Sequence, residues 1–166
     1  MTEHLRLIAK QLENLEKMNL YLAYSLGRSR MFMPIENWDT LSNEQHEVLA
    51  ALRVRFSEFQ EHLSKTMRAI AIEEEVDTTR FGSVLAYMEK LEIIVSSERW
   101  KLIREIKNAV NHSYNNDSNQ LKEFFSEMMK ASQDLFDAHQ NIIGFCNKAY
   151  GLIVSPSAEQ KKTSQI

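Results

Sequence analysis

One cysteine, two prolines and four glycines are spread over 166 residues, and each scarcity closes off part of fold space. With Cys146 alone no intrachain disulfide can form, and its place in an apolar stretch reads as core in a reducing compartment. So few chain breakers supply too few tight turns for an all-β protein of this size, and they leave room for long helices. No apolar run approaches the roughly 20 residues needed to span a bilayer, and the N-terminus carries no apolar signal core. A cytoplasmic chain without membrane contact is expected. An excess of positive charge is missing too. A formal net charge of −3 and a pI of about 6.0 exclude the cationic field of a general nucleic-acid binder, so any RNA contact must be local. Neither a Gly-rich phosphate loop nor a Ser nucleophile elbow occurs, which leaves ATP hydrolysis and serine-hydrolase chemistry without support.

What is present is apolar periodicity. Hydrophobic residues make up 43% of the chain, too many for a disordered one. A chain of this length can bury roughly 70% of its unfolded surface in one core. Thr2 can cap a first helix striped by Leu5, Ile8, Leu12, Leu15, Leu22 and Leu26, with Gly27 expected to stop it. Residues Arg28 to Leu41, with Pro34 and Trp38, read as a connector packed on the bundle. Ser42 and Gln45 form a capping-box pattern for a second long helix, reaching about Glu75 and striped from Leu49 to Ile70. Asp77, Thr78 and Thr79 are candidate caps for a short third helix carrying Val84, Leu85, Met88, Leu91 and Ile94. Ser96 or Ser97 caps a fourth, running to about His112, and the cluster Asn115 to Ser118 introduces a fifth, to about Leu152. The expected fold is all-α: an up-and-down bundle of about five helices, three long and two short, forming one domain over 1–154. The polar tail 155–166 is expected to be disordered.

The fourth helix carries the chemistry. On a wheel of 100° per residue, Leu102, Ile106, Ala109 and Val110 fall together and read as the core stripe. Arg104, Lys107, Asn108, Asn111 and His112 fall opposite, with Tyr114 in line if the helix continues. Cations, amides, an imidazole and a phenol are groups that bind and process phosphate esters. Attack of a ribose 2′-hydroxyl on the adjacent phosphate needs a proton acceptor, a proton donor to the leaving oxygen and a cation for the charge on phosphorus. A histidine, with an ordinary pKa of about 6.5, exchanges protons near neutrality, and Arg or Lys holds phosphate without a metal. One histidine does not easily perform both transfers, so a symmetric dimer presenting two copies of His112 is mechanistically attractive. His4, His46, His62 and His139 show no metal-ligand spacing, and the acidic run Glu73, Glu74, Glu75 and Asp77 reads as a solvated helix end. No metal and no cofactor is expected.

The run from Trp100 to Tyr114 resembles the signature of HEPN domains, above all the HepT-type ribonuclease toxins, whose motif is Arg, four residues, His, one residue, Tyr. Asn108 matches the Asn that typically follows the Arg, and Val84 to Val95 resembles the segment leading into the motif. The similarity spans roughly Ser83 to Asn115. It implies a homodimeric, metal-independent endoribonuclease, with His112 in acid–base chemistry and Asn108 organising the site; Arg104, Lys107 and Asn111 are expected on RNA from their place on the polar face. It implies that Tyr114 is the residue to which an MNT-type nucleotidyltransferase antitoxin attaches AMP, making this chain the toxin of a toxin–antitoxin pair. Lys107 departs from the pattern, because it stands where the family has Arg. An ammonium cannot reproduce the planar two-pronged grip of a guanidinium, and Arg104, one turn earlier, is the residue positioned to substitute in part. The alternative expectation is a non-catalytic HEPN-fold subunit that binds a nucleotidyltransferase or another partner. A third is a substrate-binding subunit for a nucleotidyltransferase acting on a small molecule.

Overall fold

The computed structural model describes residues 1–109 and 117–154, and among them every regular element is helical. In chain order these are α1 (Glu3–Arg30), a short 3-10 turn (Trp38–Thr40), α2 (Asn43–Glu73), α3 (Phe81–Lys90), α4 (Ser97–Ala109) and α5 (Ser118–Tyr150). The fold is an all-α helical bundle. No helix among the described residues is long and apolar enough to cross a membrane.

Side-chain pairings fix the helix directions. His4 Nε2 lies 2.9 Å from Ala69 O, Arg55 Nη1 donates to Ser25 Oγ at 2.8 Å, and Arg28 Nη2 donates to Glu44 Oε1 at 3.1 Å. Residue numbers rise on α1 as they fall on α2, so the pair is antiparallel. Arg99 at the start of α4 pairs with Asp134 while Ala109 at its end lines a groove with Phe124, so α4 runs antiparallel to α5, and Trp100 Nε1 ties it to α2 by donating to Ser64 Oγ. Phe59 packs on Phe136 and His139, and the Tyr150 hydroxyl donates to Glu74 Oε1 at 2.8 Å, so α5 runs parallel to α2. The four longer helices thus alternate up, down, up, down, and α3 bridges the second turnaround.

The local chemistry explains most boundaries. Thr2 and Ser42 cap α1 and α2 through their hydroxyls, and Ser42 with Gln45 completes the reciprocal capping box. Ser96 Oγ accepts from Arg99 N at 3.0 Å, and Asp117 caps α5 through Gln120 N. The α2 stripe, Leu49, Leu52, Phe56, Phe59, Leu63, Met67 and Ile70, is buried throughout. It forms one continuous core with Ile8, Leu12, Leu15 and Leu22 of α1 and Phe125, Met128, Leu135 and Ile142 of α5. The connector packs as its composition implies, with Ile35 buried and the Trp38 ring stacked 5.6 Å from Phe125.

Three boundary and packing expectations are corrected. Gly27 does not end α1, which continues to Arg30 because Leu26 and Ser29 still bury and Ser29 Oγ donates to Ser25 O at 2.8 Å. Asp77, Thr78 and Thr79 do not cap α3. Its N-cap is Arg80, with no side-chain cap bond, while Asp77 Oδ1 closes a local turn by accepting from both N and Oγ1 of Thr79. Those two bonds hold the Asp77 carboxyl below its ordinary pKa. On α5 the apolar spacing Leu121, Phe124, Phe125, Met128, Leu135, Ile142, Phe145 and Ala149 predicts one stripe, yet Ala149 is exposed, and Ala131, Ser132, Ala138, His139 and Cys146 join the buried line.

Candidate functional site: a basic cleft between α2, α3 and α4

The rotation of α4 about its own axis decides where its polar residues point. Trp100 and Ile103 are its buried side chains, so they face the core. Ser64 Oγ accepts from Trp100 Nε1 and from Gln60 Nε2, each at 3.2 Å, and pins the indole to α2. On the other flank Arg99 forks onto Asp134, with Nε and Nη2 at 3.3 and 2.9 Å from its two carboxylate oxygens. That hydrogen-bonded pairing raises the guanidinium pKa above its ordinary value. The expected core stripe of α4 is therefore corrected. Leu102 is 50% exposed, Ile106 and Ala109 are half-buried, and Val110 lies outside the described residues. Leu102, Ile106 and Ala109 instead line an open groove of about 440 Å³ against Phe124, Glu127 and Lys130 of α5.

This rotation also corrects the polar face. Arg104 and Lys107 stand one helical turn beyond Trp100 and Ile103, so they continue the core-facing line past the end of the packed layer. They emerge over α2, not away from the bundle. With Gln60, Glu61, Ser64, Lys65 and Arg68 of α2 and Phe81 of α3 they line a cleft of about 210 Å³.

The cleft is electropositive in a chain whose net charge is negative. Lys65, Arg68, Arg104 and Lys107 face one carboxylate, Glu61, and Glu61 Oε1 is engaged by Lys65 Nζ at 3.4 Å. That pair is well exposed and contributes little to stability. The two arginines are organised by one ring: Arg104 Cζ lies 4.8 Å and Arg68 Cζ 5.5 Å from the Phe81 centroid. A cation over an aromatic face is attracted by the ring quadrupole, by ~0.5–1 kcal/mol at an exposed site. Arg68 is anchored further where Nη1 donates to Thr78 O at 3.2 Å. Cations that line one small cleft repel one another, and an oxyanion between them relieves that repulsion.

Of the residues expected to carry function, the structure brings Arg104 and Lys107 together. Asn108 is exposed and does not line the cleft. Asn111, His112 and Tyr114 lie outside the described residues. Lys65, Arg68 and Phe81 were not anticipated. Lys65 and Arg68 read as ordinary solvent-facing positions of a long helix, and only the approach of α3 and α4 gives them a common target.

Elsewhere, no group of three or more His, Cys, Asp or Glu side chains among the described residues could hold a metal. Two members of the acidic run are structural. Glu74 accepts from Tyr150 OH, whose phenol pKa is pushed up by burial first and by this bond second, and Glu73 Oε2 lies 3.9 Å from His4 Nε2. No family model, no curated protein and no solved structure matches this chain. What fold and cleft define is a class: a bundle of five helices among the described residues, with a basic, aromatic-floored cleft.

Proposed function

We propose that the chain is a cytoplasmic, metal-independent endoribonuclease of the HEPN type, acting as a homodimer and serving as the toxin of a pair neutralised by a nucleotidyltransferase partner. The observation that carries the reading is the convergence of Arg104 and Lys107, both in the motif-like stretch, on one electropositive cleft. The phosphodiester binds there, and the cations stabilise the charge that builds on its oxygens as the ribose 2′-oxygen attacks phosphorus. One His112 takes the 2′-hydroxyl proton while the His112 of the second copy gives a proton to the departing 5′-oxygen. The O2′–P bond forms as the P–O5′ bond breaks, leaving a 2′,3′-cyclic phosphate and a 5′-hydroxyl. Tyr114, two residues further along the sequence, is the site at which attached AMP blocks the reaction.

His112→Ala should lose RNA cleavage by about 10²-fold or more and relieve growth inhibition, in keeping with the usual contribution of acid–base catalysis. Equal cleavage by mutant and wild type would overturn the reading. One feature favours a second reading, a non-catalytic subunit of the same fold: Lys107 stands where the resembled pattern has Arg. Lys107→Arg separates them. A gain of cleavage identifies a nuclease with a handicapped site, and silence in both proteins identifies a binding subunit.

A further inference from the structure

The resembled motif places its only arginine at position 107, where this chain has a lysine. A point-charge ammonium makes no planar, two-pronged contact with phosphate, so a cleft relying on Lys107 alone grips a diester weakly. Arg104 supplies one guanidinium, and a second arginine reaches the same cleft from a different helix. Arg68 is the last α2 residue lining it, four residues beyond Ser64, which holds Trp100. Arg68 and Arg104 line the same cleft and share one ring, their Cζ atoms 5.5 and 4.8 Å from the Phe81 centroid.

We infer that Arg68 is the missing guanidinium of the phosphate grip, binding the RNA backbone jointly with Arg104 and Lys107, and that Phe81 is a positioning residue that holds the two arginines in register. The inference rests on the RNA-binding part of the proposed function and not on the cleavage step. Three physical features support it. The contact to Thr78 O uses one of five donors on Arg68 and leaves the others to a ligand. The cation–π contact with Phe81 restrains each arginine side chain, so less side-chain entropy is lost when phosphate arrives. Among the described lining residues the one carboxylate, Glu61, is matched by Lys65, so the two arginines and Lys107 remain as net positive charge. Phe81, half-buried and already engaged by two cations, serves as the floor of the grip and not as a platform for a base.

The test uses the full chain and a fluorescein-labelled 2′-O-methyl RNA oligonucleotide, which cannot be cleaved because its 2′-oxygen carries no proton and is blocked. Anisotropy titrations at several salt concentrations should show Arg68→Lys binding at least about tenfold more weakly than wild type. Arg68→Ala should lower the salt slope by about 0.7, the value for one lost single-strand phosphate contact. Phe81→Leu should weaken binding with no change in the number of charges. Lys101→Gln, at an exposed α4 position outside the cleft, should bind as wild type does. Thermal melts of all four variants check that they fold. Undiminished binding by Arg68→Lys, an equal loss in Lys101→Gln, or no binding by the wild type would each overturn the inference. So would displacement of the probe by inorganic pyrophosphate as effectively as by unlabelled RNA, which would mark a site for free phosphates. Arg68-dependent binding by a wild type that leaves ordinary RNA intact would remove the nuclease reading and keep this one. Full-rate cleavage by Arg68→Lys would do the reverse.

Discussion

His139 is fully buried, and among the described residues neither ring nitrogen has a hydrogen-bond partner. Phe59 packs edge-on against it at 5.6 Å, and Glu16 Oε2 lies 3.6 Å from Nε2. Burial disfavours the imidazolium and lowers the pKa to about 4. The unfolded chain, with its histidine near 6.5, binds more protons than the folded chain between those values. The neutral ring's contribution is therefore complete above about pH 6.5 and is lost as pH falls toward 4, by on the order of 3 kcal/mol. Urea midpoints should fall steeply across that window in the wild type and less steeply in His139→Gln; identical slopes would refute this. Cys146, also fully buried, has its thiol pushed up to about 12 by the same desolvation. A thiol reagent at pH 8 should leave it untouched in the native protein and label it once in denaturant. Cys146 reads as core from its apolar stretch, whereas the sequence shows of His139 only that it lacks metal-ligand spacing. What the sequence hid was His139's depth, because its neighbours Phe59 and Glu16 come from distant segments.

At the scale of the helix, two glycines carry opposite expectations. Gly27 lies on the exposed side of α1 with open space where a Cβ would go, so Gly27→Ala should stabilise by ~0.5–1 kcal/mol. Gly151 ends α5 with φ +68°, where its N–H reaches Asn147 O. Gly151→Ala should destabilise by ~1–2 kcal/mol, because a Cβ crowds the following carbonyl in that conformation. Thermal melts of the pair check both signs. Caps that work through their own side chains, such as Ser42 with Gln45, were fully legible, since capping is chemistry among residues three apart. Gly27 was misread as a stop because glycine weakens a helix without ending it, and packing of Leu26 and Ser29 outweighs the loss. The facing of α4 was misread for a related reason. Leu102, Ile106 and Ala109 make a plausible stripe in isolation, but burying the larger Trp100 and seating its N–H on Ser64 turns the helix the other way.

Across the whole molecule, α2 is the spine, contacting α1, α3, α4 and α5. Phe59 sits fully buried at its middle, against Phe136 and His139 of α5. Phe59→Ala should cost ~3–5 kcal/mol, the range for a buried aromatic whose cavity cannot collapse, and denaturant titration reads it directly. A loss below about 1 kcal/mol would mean that the interior repacks freely and that the cleft built upon it is not rigid. By itself the sequence determined the helical class, the number and approximate limits of the helices and most of the core, because periodicity and capping are encoded in residues within a few positions of each other. It also located the stretch holding Arg104 and Lys107. Only the tertiary structure decided that these two face α2, that Lys65, Arg68 and Phe81 join them, and that the apparent core stripe of α4 lines an open groove. The direction in which a helix face points depends on which of its sides buries the most area against partners dozens of residues away, and no local pattern records that competition.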